Sequence, residues 1–261
     1  MGMGSLDLKK LLELQKFVGD IFSVCDIGAT QLYCQNDTAT LREFVDAYFK
    51  KGAKSKISAE FLHKISNLGY AKDLWQNLNY SYMAVDTSSE ANSIYLDLNF
   101  DNIPKKYKGK FQLVLNLGTT EHVANQIQAF KIIHDLCSPE GVMYHHVPFQ
   151  GYQTHGLVNY TAKFFWMLCR SNNYELLDMD ISSAEQHEGL HEDIMETLKK
   201  FKKNSKKNII QTTQSGLMVA LKMRKKKQWF VPPFDGHVQG TLNGIPGSYY
   251  KKYKSLFKIF D

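Results

Sequence analysis

Seven short apolar runs alternate with helical patterns along this chain, and this alternation limits the fold more than any other feature. The runs are Phe22–Ile27, Tyr80–Asp86, Ser93–Leu98, Phe111–Leu117, Gly141–Val147, Tyr174–Ile181 and Ser215–Met223. Between them apolar residues recur three and four positions apart, as at Val123, Ile127 and Phe130, which is typical of amphipathic helices. Strands that alternate with helices form crossover units, so the sequence predicts a mainly parallel sheet with helices on both faces.

The predicted elements make up one α/β domain over residues 1–261. Helices are expected over Val123–Leu136, Thr161–Arg170 and His191–Phe201. The seventh run ends in the basic stretch Lys222–Lys227, which favours an antiparallel strand at the edge of the sheet. The prediction is a three-layer sandwich around a seven-stranded sheet.

Two regions depart from the alternation. Residues 38–79 are longer than one crossover helix requires and have helical patterns at Thr38–Lys51 and Ser58–Asn67. We interpret them as a helical insertion that covers the cleft as a lid, and a dimer interface is an open alternative. Residues 228–261, rich in aromatic residues and glycine, are expected to form an irregular tail that wraps the domain.

Composition places the chain among soluble proteins. Of 261 residues, 43% are hydrophobic and 22% charged, and no apolar run approaches the roughly 20 residues that span a membrane. Leu6–Phe17 mixes leucine with charged residues, unlike a signal peptide. The four cysteines form no CxxC pair, so we expect a reduced, cytoplasmic protein without disulfides or zinc–cysteine sites.

The net charge of +6 is concentrated near the C-terminus. Lys199–Lys227 contains eleven Lys or Arg and no Asp or Glu. Such a segment can attract phosphate-rich partners, but it is more often a solvated helix end followed by a hairpin end. Neither interleaved aromatic residues nor a known nucleic-acid module accompanies it.

Polar residues stand where the predicted strands end. Asp26 lies near the end of the first run, and Gly28 and Thr30 follow that run. Asp86 ends the second run, and Asp97 lies near the end of the third. Asn116 lies near the end of the fourth. Ligands of open α/β sheets bind outside the carboxyl ends of the strands, where strand order reverses. A glycine there permits a tight turn, and a carboxylate accepts hydrogen bonds from hydroxyl or amino groups.

This ordered series resembles the class I S-adenosylmethionine-dependent methyltransferase family. Asp26 and Gly28 stand where that family has its acidic-x-glycine motif, Asp86 at its ribose-binding acid and Asp97 at its acid near the adenine. Glu121-His122-Val123 resembles the EHV motif of many small-molecule methyltransferases. The resemblance covers most of residues 20–224 and implies a Rossmann-like fold that binds S-adenosylmethionine, with Asp26, Gly28, Thr30, Asp86, Asp97 and Asn116 as cofactor-binding residues.

The glycine-rich loop departs from the family pattern. The usual D/E-x-G-x-G-x-G reads Asp26-Ile27-Gly28-Ala29-Thr30-Gln31-Leu32 here, with two of three glycines replaced. A Thr or Gln side chain in this loop is expected to donate to the carboxylate of the cofactor. A relative that keeps the fold and has lost turnover is the alternative reading.

Methyl transfer needs alignment of the acceptor and, for some acceptors, removal of a proton. His122, His145 and His155 are the candidate catalytic residues. Because His145 and His146 are adjacent on a strand, they face opposite sides. Polar and aromatic residues near these histidines are candidate substrate-binding residues: Glu121, Gln150, Tyr152, Asn159 and Tyr160.

The resulting hypothesis is methyl transfer to a small or medium polar metabolite, with sugar intermediates as one option. RNA methylation is an alternative that the Lys199–Lys227 charge favours. No metal site is expected: RNA-end methyltransferases that bind a metal carry a second Glu three residues before the position of Glu121, and Gly118 stands there. The oligomeric state is left open.

Overall fold

The computed structural model describes residues 2–18, 23–48, 57–152, 155–183, 214–226 and 229–234. Within them the chain forms a seven-stranded sheet, a small three-stranded sheet and six α-helices. The strands are β1 (Met3–Gly4), β2 (Ser23–Ile27), β3 (Gln31–Tyr33), β4 (Asn67–Tyr70), β5 (Ser81–Asp86), β6 (Ile94–Tyr95), β7 (Phe111–Leu117), β8 (Cys137–Gln150), β9 (Glu175–Ser183) and β10 (Ser215–Lys222). The helices are α1 (Ser5–Val18), α2 (Thr38–Tyr48), α3 (Ala59–Ile65), α4 (Ala71–Asn77), α5 (Gln126–Leu136) and α6 (Ala162–Asn172).

The large sheet has the strand order β6-β5-β2-β7-β8-β10-β9. β2 pairs in parallel with β5 on one side and with β7 on the other. The chain therefore builds outward from β2 through β5 to β6, then returns to lay β7 against the opposite side of β2. This reversal leaves a crevice at the carboxyl ends of β2 and β7. The predicted mainly parallel α/β sandwich is confirmed.

The antiparallel strand β10 lies one position inside the predicted edge. It pairs antiparallel with β8 and with β9, and β9 is the outermost strand. Residues 215–221 are all buried, as a strand with neighbours on both sides requires. The basic residues after the strand belong to the turn that leaves it, so they say little about which strand forms the edge.

Two hydrophobic cores fill the space on either side of the large sheet. Adjacent residues of β7 enter different cores, with Leu113 on the face that α1, α2 and α4 cover and Val114 on the face that α5 and α6 cover. This arrangement follows from the alternation of side chains along a strand. Each core is thus one helical layer packed against one face of the sheet.

Helix α5 begins three residues later than its apolar periodicity predicted. The side chain of Asn125 caps the helix by accepting a hydrogen bond from the Gln128 N–H. The preceding residues Thr120–His122 form a separate 3₁₀ turn. The chain can therefore change direction between β7 and α5, and this turn places Glu121 and His122 beside the crevice.

Residues 38–79 form α2, α3, β4 and α4 in their described part, where the sequence predicted two helices. Leu41, Phe44 and Trp75 are buried against α1 and the sheet. β4 joins β3 and β1 in the small sheet. No described residue of this region lines the cavity of the functional site. A lid over the cleft remains a prediction without a supporting contact.

Several predicted features lie wholly or partly outside the described residues. The helix expected over His191–Phe201 lies outside them, as does most of Lys199–Lys227. Of the tail, residues 229–234 are described, and Val231 exchanges two backbone hydrogen bonds with the side chain of Asn172 on α6. No helix in the described part of the chain combines the length and apolarity that crossing a bilayer requires.

The aromatic cluster around Trp75 provides a test of this packing. Trp75 is fully buried, and its ring lies 5.4 to 5.8 Å from those of Phe44, Tyr48 and Tyr80. We expect Trp75→Ala to lower the free energy of unfolding by about 3–5 kcal/mol in urea denaturation, because it leaves a cavity in the core. Trp229→Ala is the matched control, since Trp229 is 92% exposed, and its effect should stay within about 0.5 kcal/mol. Equal losses for the two variants would contradict this account.

Candidate functional site

A cavity of about 400 Å³ lies at the carboxyl ends of β2, β5 and β7, in the crevice where strand order reverses. This volume is within the usual range for small-molecule sites. The lining residues are Gly28, Ala29, Thr30, Val85, Asp86, Thr87, Leu96, Asp97, Leu98, Asn99, Leu117, Gly118, Thr119, His122 and Val123. Five of the predicted site residues are among them, namely Gly28, Thr30, Asp86, Asp97 and His122.

The turn after β2 requires glycine at position 28. The φ angle of Gly28 is +90°, a region that residues with a side chain rarely adopt. A Cβ atom there would lie 2.4 Å from Oγ1 of Thr119, which itself donates a 2.6 Å hydrogen bond to the carbonyl of Ile27. The N–H of Gly28 donates to the carbonyl of Val85. The turn is therefore held by β5 on one side. On the other side it is held by the turn that follows β7, residues 118–122, called the β7 turn below.

The chain does not enter a helix directly after this turn. Ala29 and Thr30 lead into strand β3, which pairs with β1 and β4. The carbonyl of Thr30 accepts a hydrogen bond from the N–H of Ala71 at the start of α4. Pairing between strands thus holds the loop that lacks the second and third glycines of the family pattern.

Asp86 and Asp97 present carboxylates to the cavity from two neighbouring strand ends. Oδ2 of Asp86 accepts from the N–H of Ala29 at 2.7 Å, and Oδ1 accepts from the N–H of Ser88 at 2.9 Å. Oδ1 of Asp97 accepts from the N–H of Asn99 at 2.8 Å. Each carboxylate oxygen accepts more than one hydrogen bond, so both groups keep capacity for a ligand while the backbone fixes their position.

Asp26 lies beneath the cavity rather than on its wall. Its side chain is fully buried on the same face of the sheet as Tyr82. The hydroxyl of Tyr82 donates a hydrogen bond to Oδ2 of Asp26 at 2.7 Å. Burial raises the pKa of the Asp26 carboxyl to about 7, against the opposing effect of hydrogen bonds from Tyr82 and Thr30. Since Thr30 lines the cavity, Asp26 reaches the site through that residue.

Glu121, His122 and His155 form a second polar cluster, which borders the cavity at His122. The carboxylate of Glu121 is fully buried, and its Oε1 lies 3.6 Å from Nε2 of His155 and 4.0 Å from Nε2 of His122. The two imidazole rings are 5.0 Å apart. Burial raises the pKa of Glu121, while burial and the neighbouring His155 lower the pKa of His122. The structure thus brings the predicted residues Glu121, His122 and His155 together, with their ligand atoms within 4.8 Å of one another.

Three predicted residues instead belong to a buried network under the β7 turn. His145 lies between the rings of Phe130 and Phe165, and burial lowers its pKa to about 3, so it is neutral. The side-chain amide of Asn116 contacts both Nδ1 of His145 and Oγ1 of Thr120. The hydroxyl of Tyr160 lies 2.8 Å from Oγ1 of Thr120, and burial raises its pKa. This network shapes the turn, and its members do not line the cavity.

The remaining predicted residues lie around the loop after β8. Gln150 and Asn159 are exposed, and Tyr152 is half-buried with its ring 5.5 Å from that of His155. The neighbouring His146 faces the other side of the sheet, as its position next to His145 predicted. It lies within hydrogen-bonding distance of Asp7 and Ser182, 2.7 and 2.8 Å respectively.

Thr119, Leu96 and Leu98 line the cavity and escaped the sequence prediction. Leu96 and Leu98 flank Asp97 and give the cavity an apolar wall beside a carboxylate. The alternation Leu96-Asp97-Leu98 was a usable signal for this pair. Nothing in the sequence indicates that the Thr119 side chain bonds back to the end of β2.

The Gly28 turn generates a stability prediction with a matched control. We expect Gly28→Ala to lower the free energy of unfolding by about 1–3 kcal/mol more than Gly109→Ala in urea denaturation. Both glycines have positive φ, but a Cβ at Gly109 would meet no atom within 4 Å. Adding Thr119→Ala to Gly28→Ala should recover part of the difference. Equal losses for the two glycine variants would show that the Thr119 contact is not limiting.

The burial of Asp26 generates a pH prediction. Its pKa is about 7 in the folded chain against an ordinary 3.8, so the folded state holds the proton over a range where the unfolded state has lost it. The stability that this proton provides is complete below about pH 4 and is lost as the pH rises to about 7. Asp26→Asn imitates the protonated acid. The free energy of unfolding of this variant, relative to that of the wild type, should therefore rise by up to about 4 kcal/mol between pH 4 and pH 8. A difference independent of pH would contradict this.

Comparisons with known proteins agree with this geometry. A family model described as a methyltransferase domain matches residues 66–205, which is more than half of the chain. No curated protein sequence matches the chain.

Three solved methyltransferases resemble the chain at low identity. A S-adenosylmethionine-dependent methyltransferase from Archaeoglobus fulgidus is 11% identical, with 83% of this chain and 93% of that chain covered and a TM-score of 0.44. The 1,6-didemethyltoxoflavin-N1-methyltransferase of Burkholderia thailandensis, solved with S-adenosylhomocysteine, is 12% identical, with 83% and 78% covered and a TM-score of 0.44. The N-methyltransferase NodS of Bradyrhizobium japonicum is 9% identical, with 83% and 94% covered and a TM-score of 0.41.

The matched domain spans β4 to β9 and includes Asp86, Asp97 and the EHV motif. The chain therefore belongs to the class I S-adenosylmethionine-dependent methyltransferase family.

Proposed function

We propose that this chain transfers the methyl group of S-adenosylmethionine to a small or medium polar metabolite, with sugar intermediates among the acceptors to test first. The observation that carries the proposal is the single cavity into which the Gly28 turn, Asp86 and Asp97 all open. The bound cofactor supplies an electrophilic methyl group on a sulfonium, so the protein's task is to hold the reactants in line.

The lining residues fit this cofactor. Asp86 is the proposed partner of the ribose hydroxyls, because backbone N–H groups already hold its two oxygens at the end of β5. Asp97 is the proposed acceptor for the adenine amino group, with Leu96 and Leu98 as the apolar surface beside the ring. Gly28 brings the backbone close to the ligand, and Thr30 is the proposed donor to its carboxylate. Asp26 supports Thr30 from below.

The acceptor side of the site is proposed to lie beyond His122. His122 lines the cavity and touches the group formed by Glu121 and His155, so it is the histidine placed to meet an acceptor. Tyr152 lies beside His155 and is a proposed substrate contact, and Gln150 and Asn159 are exposed on the same loop region. The burial of His145, Asn116 and Tyr160 supports positioning roles for them.

The cysteines and the basic segment bear on where the chain acts and on its acceptor. The four cysteines are free and buried, which supports a reducing, cytoplasmic setting. Methylation of RNA is the alternative that the basic segment Lys199–Lys227 favours, and most of that segment lies outside the described residues. The small-molecule acceptor is preferred because His122 lines a cavity of about 400 Å³, a volume typical of small-molecule sites.

Cofactor binding tests the proposal. Calorimetry should show micromolar binding of S-adenosylmethionine and S-adenosylhomocysteine to the wild type. Asp86→Asn should weaken both by about tenfold to a hundredfold, because it removes charge-assisted hydrogen bonds worth roughly 1.5–3 kcal/mol. Asp46→Asn is the matched control, an exposed aspartate on α2 away from the cavity, and should leave affinity unchanged.

Two outcomes would count against the proposal. Unchanged affinity in Asp86→Asn, with the fold intact by circular dichroism, would remove Asp86 from the site. An absence of wild-type binding at millimolar ligand would reject cofactor use and favour a binding protein that has kept the fold.

A further inference from the structure

The carboxylate of Glu121 has no hydrogen-bond partner among the described residues. It is fully buried, and both of its oxygens lack a hydrogen bond. Burying a carboxylate without a partner costs several kcal/mol, so buried acids are normally paired, hydrogen-bonded or bound to a metal ion. The fold maintains this cost next to the cavity, which indicates that a ligand completes the environment of Glu121.

Two imidazoles face this carboxylate at distances that suit a bridging cation. Nε2 of His155 and Nε2 of His122 lie 3.6 and 4.0 Å from Oε1 of Glu121, and the three ligand atoms all lie within 4.8 Å of one another. These separations are too long for good hydrogen bonds. Ligand atoms around a tetrahedral Zn²⁺ ion stand about 3.4 Å apart, given bonds of about 2.1 Å. A small contraction would therefore bring all three onto one ion.

The backbone holds the three residues together before any ion binds. The carbonyl of Glu121 accepts hydrogen bonds from the N–H groups of Leu157 and Val158, which dock the loop of His155 onto the β7 turn. A Cβ atom at Gly156 would lie 2.9 Å from Cγ of Glu121, so glycine alone allows this close approach. Such preorganisation lowers the entropy cost of binding.

We propose that Glu121, His122 and His155 bind a divalent cation, with Zn²⁺ preferred. Two imidazoles and one carboxylate form a donor set that suits Zn²⁺, and three protein ligands leave a coordination position open. Because His122 lines the cavity, that position faces the proposed acceptor side, where it would take an oxygen or nitrogen of the substrate. The sequence expectation of no metal site rested on Gly118 alone, and the structure offers His155 as a ligand in place of a second glutamate.

Metal binding at this site is a property separate from methyl transfer, and it can be measured directly. Tag-free protein, stripped with EDTA, is titrated with Zn²⁺ by calorimetry and with Co²⁺ by visible absorption. We expect one equivalent to bind with micromolar or tighter affinity. The Co²⁺ spectrum should show d–d bands of a four- or five-coordinate site without the thiolate charge-transfer band that cysteine ligands would produce.

Variants identify the ligands. Glu121→Gln and His155→Ala should each weaken Zn²⁺ binding by more than about 100-fold, since loss of an outer-sphere partner alone costs 10- to 100-fold. His63→Ala is the matched control, an exposed histidine on α3, and should bind as the wild type does. Both ligand variants should keep the wild-type affinity for S-adenosylhomocysteine, which separates this site from cofactor binding.

Failure of the metal proposal is distinct from failure of the proposed function. Absence of Zn²⁺ and Co²⁺ binding to the folded wild type, or binding that survives in both Glu121→Gln and His155→Ala, would overturn the metal site and leave cofactor binding untouched. Glu121 would then act as a buried acid that bonds the acceptor directly.

Discussion

The contact between Gly28 and Thr119 is the constraint on which the candidate site depends. It joins the end of β2 to the turn after β7. Strand order in the large sheet reverses between these two strands. The Thr119 side chain occupies the space that any side chain at position 28 would need, and it bonds to the carbonyl of Ile27. After the Gly28 turn, the N–H of Ala29 donates a hydrogen bond to the carboxylate of Asp86. The ends of β2, β5 and β7 are thereby connected and form one wall of the cavity.

Polar groups near the sheet divide into those that shape the site and those that face it. Beneath the turn after β7, Asn116 contacts both His145 and Thr120, and Tyr160 also bonds to Thr120. These buried contacts fix the backbone of the turn that carries Thr119, Thr120 and Glu121. Asp86, Asp97 and His122 face the cavity instead, and the first two keep hydrogen-bonding capacity for a ligand.

The sequence predicted the strands better than the roles of their residues. Continuous apolar runs located β2, β5 and β7 to within a residue, because parallel strands covered by helices on both faces are apolar on both faces. Asp86 was predictable for the same reason, since it ends β5, and Asp97 follows the end of β6 by two residues. The position of β10 inside β9 was not predictable, because the order of strands is set by pairing between distant segments and leaves no local signal.

Roles that depend on three-dimensional neighbours also escaped prediction. Position along the chain cannot show that Asp26 turns away from the cavity or that His145 enters an aromatic core, because both follow from the face that each strand presents to its helices. The pairing of Glu121 with His155 arises from the docking of a loop more than thirty residues away, through the carbonyl of Glu121 and the absent side chain of Gly156.

The most direct test of the central claim is a crystal structure of the protein with S-adenosylhomocysteine. The account predicts electron density in the cavity, with the ribose hydroxyls within hydrogen-bonding distance of Asp86 and the adenine beside Leu96, Asp97 and Leu98. Density for the ligand at another place, or an empty cavity in crystals grown with saturating ligand, would contradict the assignment of this cavity as the cofactor site.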